Sequence, residues 1–218
     1  SPLGDVFSGL VEAASYSELI DAGYLVECHV YRGPDEAGSG WSLDPLTAYQ
    51  RDGDGGQAFA FFDRVQRAEE WAAAFCASSI PAVVISEKTD ASNRAASLAA
   101  FAAGSVRVVC NVYTMTEGVD FPAASVCLLA RTCAHPSTYL QMVGRVLRPA
   151  PGKAHARLLD LVGMSSVHGW PTQDRVYSLA GKAIQVAGRA STVTCRECGH
   201  VHARSLAACP RCGFIRPK

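Results

Sequence analysis

The 218-residue chain has no charge imbalance: twenty Lys and Arg stand against twenty Asp and Glu. Its overall field therefore selects neither a polyanion nor an anionic membrane, and any anion binding must come from local clusters. No apolar run approaches the ~18 residues needed to span a bilayer. No charged-then-apolar start of the secretory kind is present either, so no membrane partner is expected. Charged residues make up only 18% against 49% hydrophobic, which excludes a disordered chain and allows a sizeable core. The nine cysteines are an odd number for a disulfide framework. Cys28, Cys76, Cys110, Cys127 and Cys133 are scattered in apolar contexts, where cysteine acts as a small core hydrophobe. The other four crowd the C-terminus in pairs. That pattern predicts a reducing compartment, a cytoplasmic location and a metal site.

A phosphate loop is also missing. It needs G-x4-G-K-[ST], and the two Gly-Lys pairs, Gly152-Lys153 and Gly181-Lys182, have Leu147 and Val176 where the first glycine belongs and Ala after each lysine.

What is present is a regular alternation. Residues 5–22 carry apolar side chains at helical spacing, 24–31 read as a strand, and 32–56 are loop-like with one helical turn near 46–49. From 57 onward short apolar strands (58–62, 81–85, 106–110, 125–129, 156–161) alternate with helices (64–78, 91–103, 137–147), the last with Ser137 as N-cap. Such alternation predicts an α/β fold with a parallel sheet flanked by helices, over roughly 57–162. Ligands of such sheets sit outside the carboxyl ends of the strands, so those ends are expected to carry the chemistry. Residues 163–179 read as a wrapping extension with Trp170 as anchor.

Two stretches carry functional chemistry. In 141–149, Arg145 and Arg148 are one helical turn apart behind Gln141, and Gly144 permits a close backbone approach. Forked, always-charged guanidiniums suit phosphate oxygens. In 114–122, Thr114, Thr116, Glu117, Gly118 and Asp120 follow a buried strand, where hydroxyls, a glycine and carboxylates suit phosphate and sugar. Each stretch alone has a plain reading as well, two solvated arginines or a polar turn stopped by Pro122.

Together and in this order the stretches resemble motifs V and VI of superfamily 2 helicases, in the second RecA-like motor domain, close to the type III restriction-subunit and XPB-like branch. AFAFFDRVQRAEEWAAAF (58–75) resembles the motif IV segment, and ISEKTDASNR (85–94) a segment with a nucleic-acid-contacting turn. The resemblance implies a division into 1–56, a connector from a first motor domain; 57–180, the second RecA-like domain with its extension; 181–192, a linker; and 193–218, a separate ribbon. It implies a C-terminal piece of a longer protein. ATP and Mg²⁺ would be held only together with a missing N-terminal RecA-like domain, so the piece is not expected to hydrolyse ATP alone. By position Arg145 and Arg148 match the arginines that reach the γ-phosphate, with Arg148 as the finger proper and Gln141 in support. Gly118 and Asp120 match residues near phosphate and ribose, with Glu117 between them. Thr114, Thr116, Ser86, Lys88 and Thr89 match positions facing the nucleic-acid backbone, DNA or RNA. The implied activity is that of an ATP-dependent helicase or translocase. The alternatives are a nucleic-acid-binding or scaffold module without an ATPase role, and the translocase subunit of a restriction system.

The C-terminus reads by itself. Cys195-x2-Cys198-Gly199 and Cys209-x2-Cys212-Gly213 form two knuckles ten residues apart. Two such turns complete a closed tetrahedral Zn²⁺ site, which makes the zinc structural. Arg189, Arg196, Arg204, Arg211, Arg216 and Lys218 make this tail locally basic. It fits a nucleic-acid contact and equally a stabilising cap or docking module.

Overall fold

The structure, a computed structural model, describes residues 5–33, 41–112, 120–179, 185–186 and 192–216. The expected strands form where the apolar runs lie: β2 (Ala58–Phe61), β3 (Ala82–Ile85), β4 (Val108–Asn111), β5 (Val126–Leu129) and β6 (Ala156–Asp160). With β1 (Cys28–Tyr31) they make one six-stranded sheet in the order β1-β6-β5-β2-β4-β3, parallel at every pairing. β2, β4 and β5 are buried at every residue, as strands covered on both faces must be.

Side-chain alternation divides the core in two. Phe59, Phe61, Val109, Cys127, Leu129 and Leu158 point to one face, under α4 (Ala91–Ala102) and α5 (Pro136–Gly144). Ala58, Ala60, Val108, Cys110, Val126, Leu128 and Leu159 point to the other, where α2 (Pro45–Asp52) brings Tyr49 and α3 (Val65–Ala77) brings Ala68, Ala72 and Phe75. The chain winds outward through β3 and back to β4, then crosses to β5 and β6, so right-handed crossovers place α3 on one face and α4 and α5 on the other. Burial pushes the Cys28 thiol up to about 12, and the Cys110 and Cys127 thiols up as well, as for inert core residues. Cys76 departs from this pattern: it is exposed on α3.

Two elements within the expected connector join the sheet domain. Cys28–Tyr31 pairs in parallel with β6, Cys28 opposite Ala156, and forms an edge of the sheet. α2, capped by Asp44 with Pro45 in the first turn, packs on the sheet through Ala48 and Tyr49. The expected long first helix is only α1 (Tyr16–Asp21), opened by a capping box of Ser15 and Glu18.

After β6, the buried Asp160 carboxylate accepts from Met164 N and Ser165 N, both at 2.8 Å, and so starts α6 (Met164–His168). The extension that follows is a packed wrap: Trp170 Nε1 donates to Cys28 O (3.0 Å), His168 Nε2 meets Cys133 O (2.9 Å), and the buried Arg175 donates to Trp170 O (2.9 Å). β7 (Arg175–Val176) pairs with β8 (Gln185–Val186) inside the expected linker, and β9 (Thr192–Thr194) pairs with β10 (Val201–Ala203) in the ribbon. Among the described residues no helix is long and apolar enough to cross a membrane.

Candidate nucleotide and metal sites

α5 leaves the carboxyl end of β5 and returns across the sheet. It therefore delivers residues 145–148 to the amino-terminal edge. Leu147 O accepts from Val26 N (2.8 Å), just ahead of β1. The expectation that the chemistry gathers beyond the carboxyl ends is overturned for the two arginines, because a helix following a strand must bring the chain back to where strands begin. The pair is not on the helix either. α5 ends at Gly144, Arg145 is its C-cap, and Arg148 lies in a bend before Pro149. A proline disfavours helical backbone at the residue before it. At the other end Pro136 opens the helix after His135, so Ser137 is not the cap. Gln141 is exposed and Arg145 half-buried one turn on, while Tyr139, Met142 and Val143 are buried. Among the described residues a Cβ at Gly144 would meet nothing within 4 Å, so none of them demands a glycine there.

Arg148 Nη1 forms an ion pair with Asp120 Oδ1, the side chains being 44% and 65% exposed. An exposed pair of this kind adds only about 0–1 kcal/mol to stability. Its importance is positional: it joins the ends of both stretches at one edge of the sheet. Thr114, Thr116, Glu117 and Gly118 lie outside the described residues, as do Arg189 and Lys218 of the tail.

Lys153, which the sequence marks only as a lysine without a phosphate loop, completes this corner. Its Nζ donates to Pro122 O (3.0 Å), Ala124 O (2.7 Å) and Arg148 O (2.7 Å). Burial holds its pKa down at about 8. One ammonium thus fastens the segment after Asp120 to the backbone of Arg148. Backbone carbonyls leave no trace in a sequence, so no pattern could have singled this lysine out.

Ser86, Lys88 and Thr89 stand at the opposite edge, beyond the carboxyl end of β3. Ser86 N donates to Thr89 Oγ1 (3.0 Å), Lys88 N to Ser86 Oγ (3.3 Å) and Arg94 Nη2 to Ser86 O (2.9 Å). The two hydroxyls are held by their own turn, Ser86 is buried, and Lys88 is exposed.

The four tail thiols converge. The Sγ atoms of Cys195, Cys198, Cys209 and Cys212 lie within 4.8 Å of one another. Cys195 and Cys212 are 3.6 Å apart, as are Cys198 and Cys209. Four sulfurs about 2.3 Å from a central zinc would stand about 3.8 Å apart, so the donor set and spacing fit one tetrahedral ion. Each knuckle turns through a glycine of positive φ, Gly199 (69°) and Gly213 (74°). Gly199 N donates to Cys195 O and Gly213 N to Cys209 O, which makes the two turns equivalent. At Cys195, burial raises the thiol pKa, but donation from the backbone amides of Cys198 and Glu197 and from the neighbouring thiols outweighs it and lowers the value, while the Cys198 and Cys212 thiols of the same cluster are raised. Thiolate is the form a metal takes.

The ribbon is docked on the sheet. Tyr31 bridges to His200, Arg32 N donates to Gly199 O (2.9 Å), and Val201 enters the core. Asp52 Oδ1 accepts from Arg211 Nη1 of the ribbon (2.6 Å), while Asp52 Oδ2 faces Arg51 Nη2 at 2.7 Å.

This sheet order, with its helices and its arginine-bearing return to the amino-terminal edge, defines a RecA-like domain of the kind found second in superfamily 2 helicases. The helicase conserved C-terminal domain family matches residues 42–150, half the chain, and the chain belongs to that family. A 51.5 kDa protein of a Lactococcus phage is 29% identical over 128 residues, covering 59% of this chain and 28% of its own length. A protein of Saccharomyces cerevisiae, provisionally named ATP-dependent helicase IRC3, is 39% identical over 67 residues, covering 31% of this chain and 10% of its own. The chain thus spans less than a third of these relatives. Among solved structures, a fragment assigned to the HsdR subunit of a type I restriction enzyme from Vibrio vulnificus YJ016 superposes with a TM-score of 0.59 at 18% identity, covering 77% of this chain and 39% of that one. At that identity the likeness concerns the fold.

Proposed function

We propose that the chain is the C-terminal motor half of an ATP-dependent helicase or translocase, acting on DNA or RNA in the cytoplasm. The observation that carries this reading is the Arg148–Asp120 contact, which unites the two candidate phosphate-binding stretches at one solvent-facing edge. A first RecA-like domain would supply the phosphate loop and Mg²⁺ carboxylates, and would close over this edge with ATP between. Arg148 then swings from Asp120 to the γ-phosphate, Arg145 adds a second guanidinium, and Gln141 positions them. A cationic fork stabilises charge on the transferring phosphoryl group. Gly118, Asp120 and Glu117 would border phosphate and ribose. Thr114, Thr116, Ser86, Lys88 and Thr89 would grip the strand through backbone phosphates, which needs no base readout. Closure and reopening of the cleft would step the strand. The tail cysteines Cys195, Cys198, Cys209 and Cys212 would hold a structural zinc.

The test is ATP hydrolysis by the chain joined to its N-terminal motor domain, with and without single-stranded DNA. Arg148→Ala should lower the stimulated rate by about 10³-fold or more, as loss of an arginine finger does, with DNA binding nearly unchanged. A rate within a few-fold of the parent removes Arg148 from the mechanism. Arg148→Lys separates charge from fork geometry and should recover only a small part of the rate.

A further inference from the structure

A second concentration of cationic groups lies away from the Arg148 corner, where the ribbon meets the sheet. Arg51 at the end of α2, Arg157 on β6 and Arg211 on the ribbon line one cavity of about 480 Å³ with Tyr31, His29 and His155. These residues come from well-separated parts of the sequence: the β1–β6 pairing and α2 gather five of them, and docking of the ribbon adds Arg211. Three guanidiniums face two carboxylates there. Arg51 and Arg211 share the buried Asp52, while Arg157 leans on Asp54, whose side chain is 75% exposed. The Asp54 contact is the one a competing anion can replace.

The cavity also carries flat rings. His29 and His155 stack with centroids 4.0 Å apart and planes 19° from parallel. Arg211 Cζ lies 4.7 Å and Arg157 Cζ 5.9 Å from the Tyr31 ring centre. Burial, then the neighbouring His29 and Arg157, brings His155 down to about 4, which keeps its ring neutral near pH 7 and records the cationic field around it. Forked donors beside a neutral imidazole stack are the two recognition elements of a nucleotide: phosphate oxygens for the guanidiniums and a π-face for the rings. A cavity of this size accepts a ligand of that class. A second cavity of about 370 Å³ shares Asp54, His155 and Arg157 and runs on to Lys153, so the cleft extends past a single unit.

We propose that the junction of ribbon and sheet is a nucleotide phosphate site, with Arg157 and Arg51 taking the phosphate and the His29–His155 pair supporting the base. This goes beyond the motor reading and does not depend on it. It assigns the ribbon a second role, as one wall of a binding cleft. A strand and a free mononucleotide both present such a phosphate, and the test separates them.

The zinc-loaded chain is titrated with (dT)8 and, separately, with AMP, while the imidazole resonances of His29 and His155 are followed by NMR. Saturable movement of both is expected. Tighter binding of (dT)8, with log affinity falling against log salt at a slope of about −2 for three phosphates, identifies a strand. Equal binding of AMP identifies a mononucleotide. Arg157→Gln should weaken the response about ten-fold, the size expected for one charge-assisted contact, and Arg51→Lys, which keeps a cation beside the buried Asp52 but loses the fork that grips a phosphate, should weaken it in the same direction. The proposal is overturned if neither probe moves these resonances, or if both variants bind as the parent does. Neither result bears on the Arg148→Ala experiment, which reads ATP hydrolysis.

Discussion

At the scale of single residues, the sequence announces guanidiniums and thiols but not their holders. The four tail cysteines are legible because paired C-x2-C knuckles are rare, whereas Arg145 and Arg148 stand out only beside the 114–122 stretch. Lys153 is silent, since its partners are three carbonyl oxygens. Lys153→Met should cost about 1–3 kcal/mol in urea unfolding, because Ala124 is buried and its carbonyl loses a donor. In the joined motor the same change should lower kcat by displacing Arg148, with oligonucleotide affinity retained. His155 gives a pH prediction. Its folded pKa is about 4 against an ordinary value of 6.5. The unfolded chain therefore binds the proton more readily across that window. Stability should be full above pH 6.5 and fall as the pH drops toward 4. Thermal melts of the parent and His155→Gln should differ in slope between those values and run parallel above them.

Among elements, β2, β4 and β5 could be placed from their unbroken apolar runs, and α3 and α4 from their periodicity. The edges were less legible. Cys28–Tyr31 is short and borders a loop-like stretch, so its place in the sheet depends on β6 offering a free edge. The docking of the ribbon turns on Asp52, wholly buried between Arg51 and Arg211. Asp52→Ala should loosen the ribbon by about 1–3 kcal/mol, since it removes the acceptor of charge-assisted bonds from Arg51 and Arg211, which water can reach once released. Limited proteolysis should then release residues 192–216 while the sheet stays intact. Gly199→Ala should act in the same direction, because its backbone is left-handed (φ 69°) and a Cβ would run into Arg32 O and the Arg51 guanidinium.

For the molecule as a whole, metal and sheet should separate cleanly. Metal analysis should find about one zinc per chain, as four thiolates closing one tetrahedral shell require. Cys195→Ser or strong chelation should unfold the ribbon, expose Tyr31 and leave the parallel sheet folded, read by circular dichroism and tyrosine fluorescence. By itself the sequence determined the α/β class, the membership in strand-and-helix alternation, and the two cysteine knuckles, because periodicity and ligand spacing are local properties of a chain. Only the tertiary structure decided that α5 returns the chain so that Arg145 and Arg148, just past its end, reach the amino-terminal edge, that Lys153 ties down the backbone of Arg148, and that strand β1, helix α2 and the ribbon meet around Asp52. Those outcomes depend on which faces and edges remain to be covered once the sheet has closed, and a linear pattern does not record what will lie beside it.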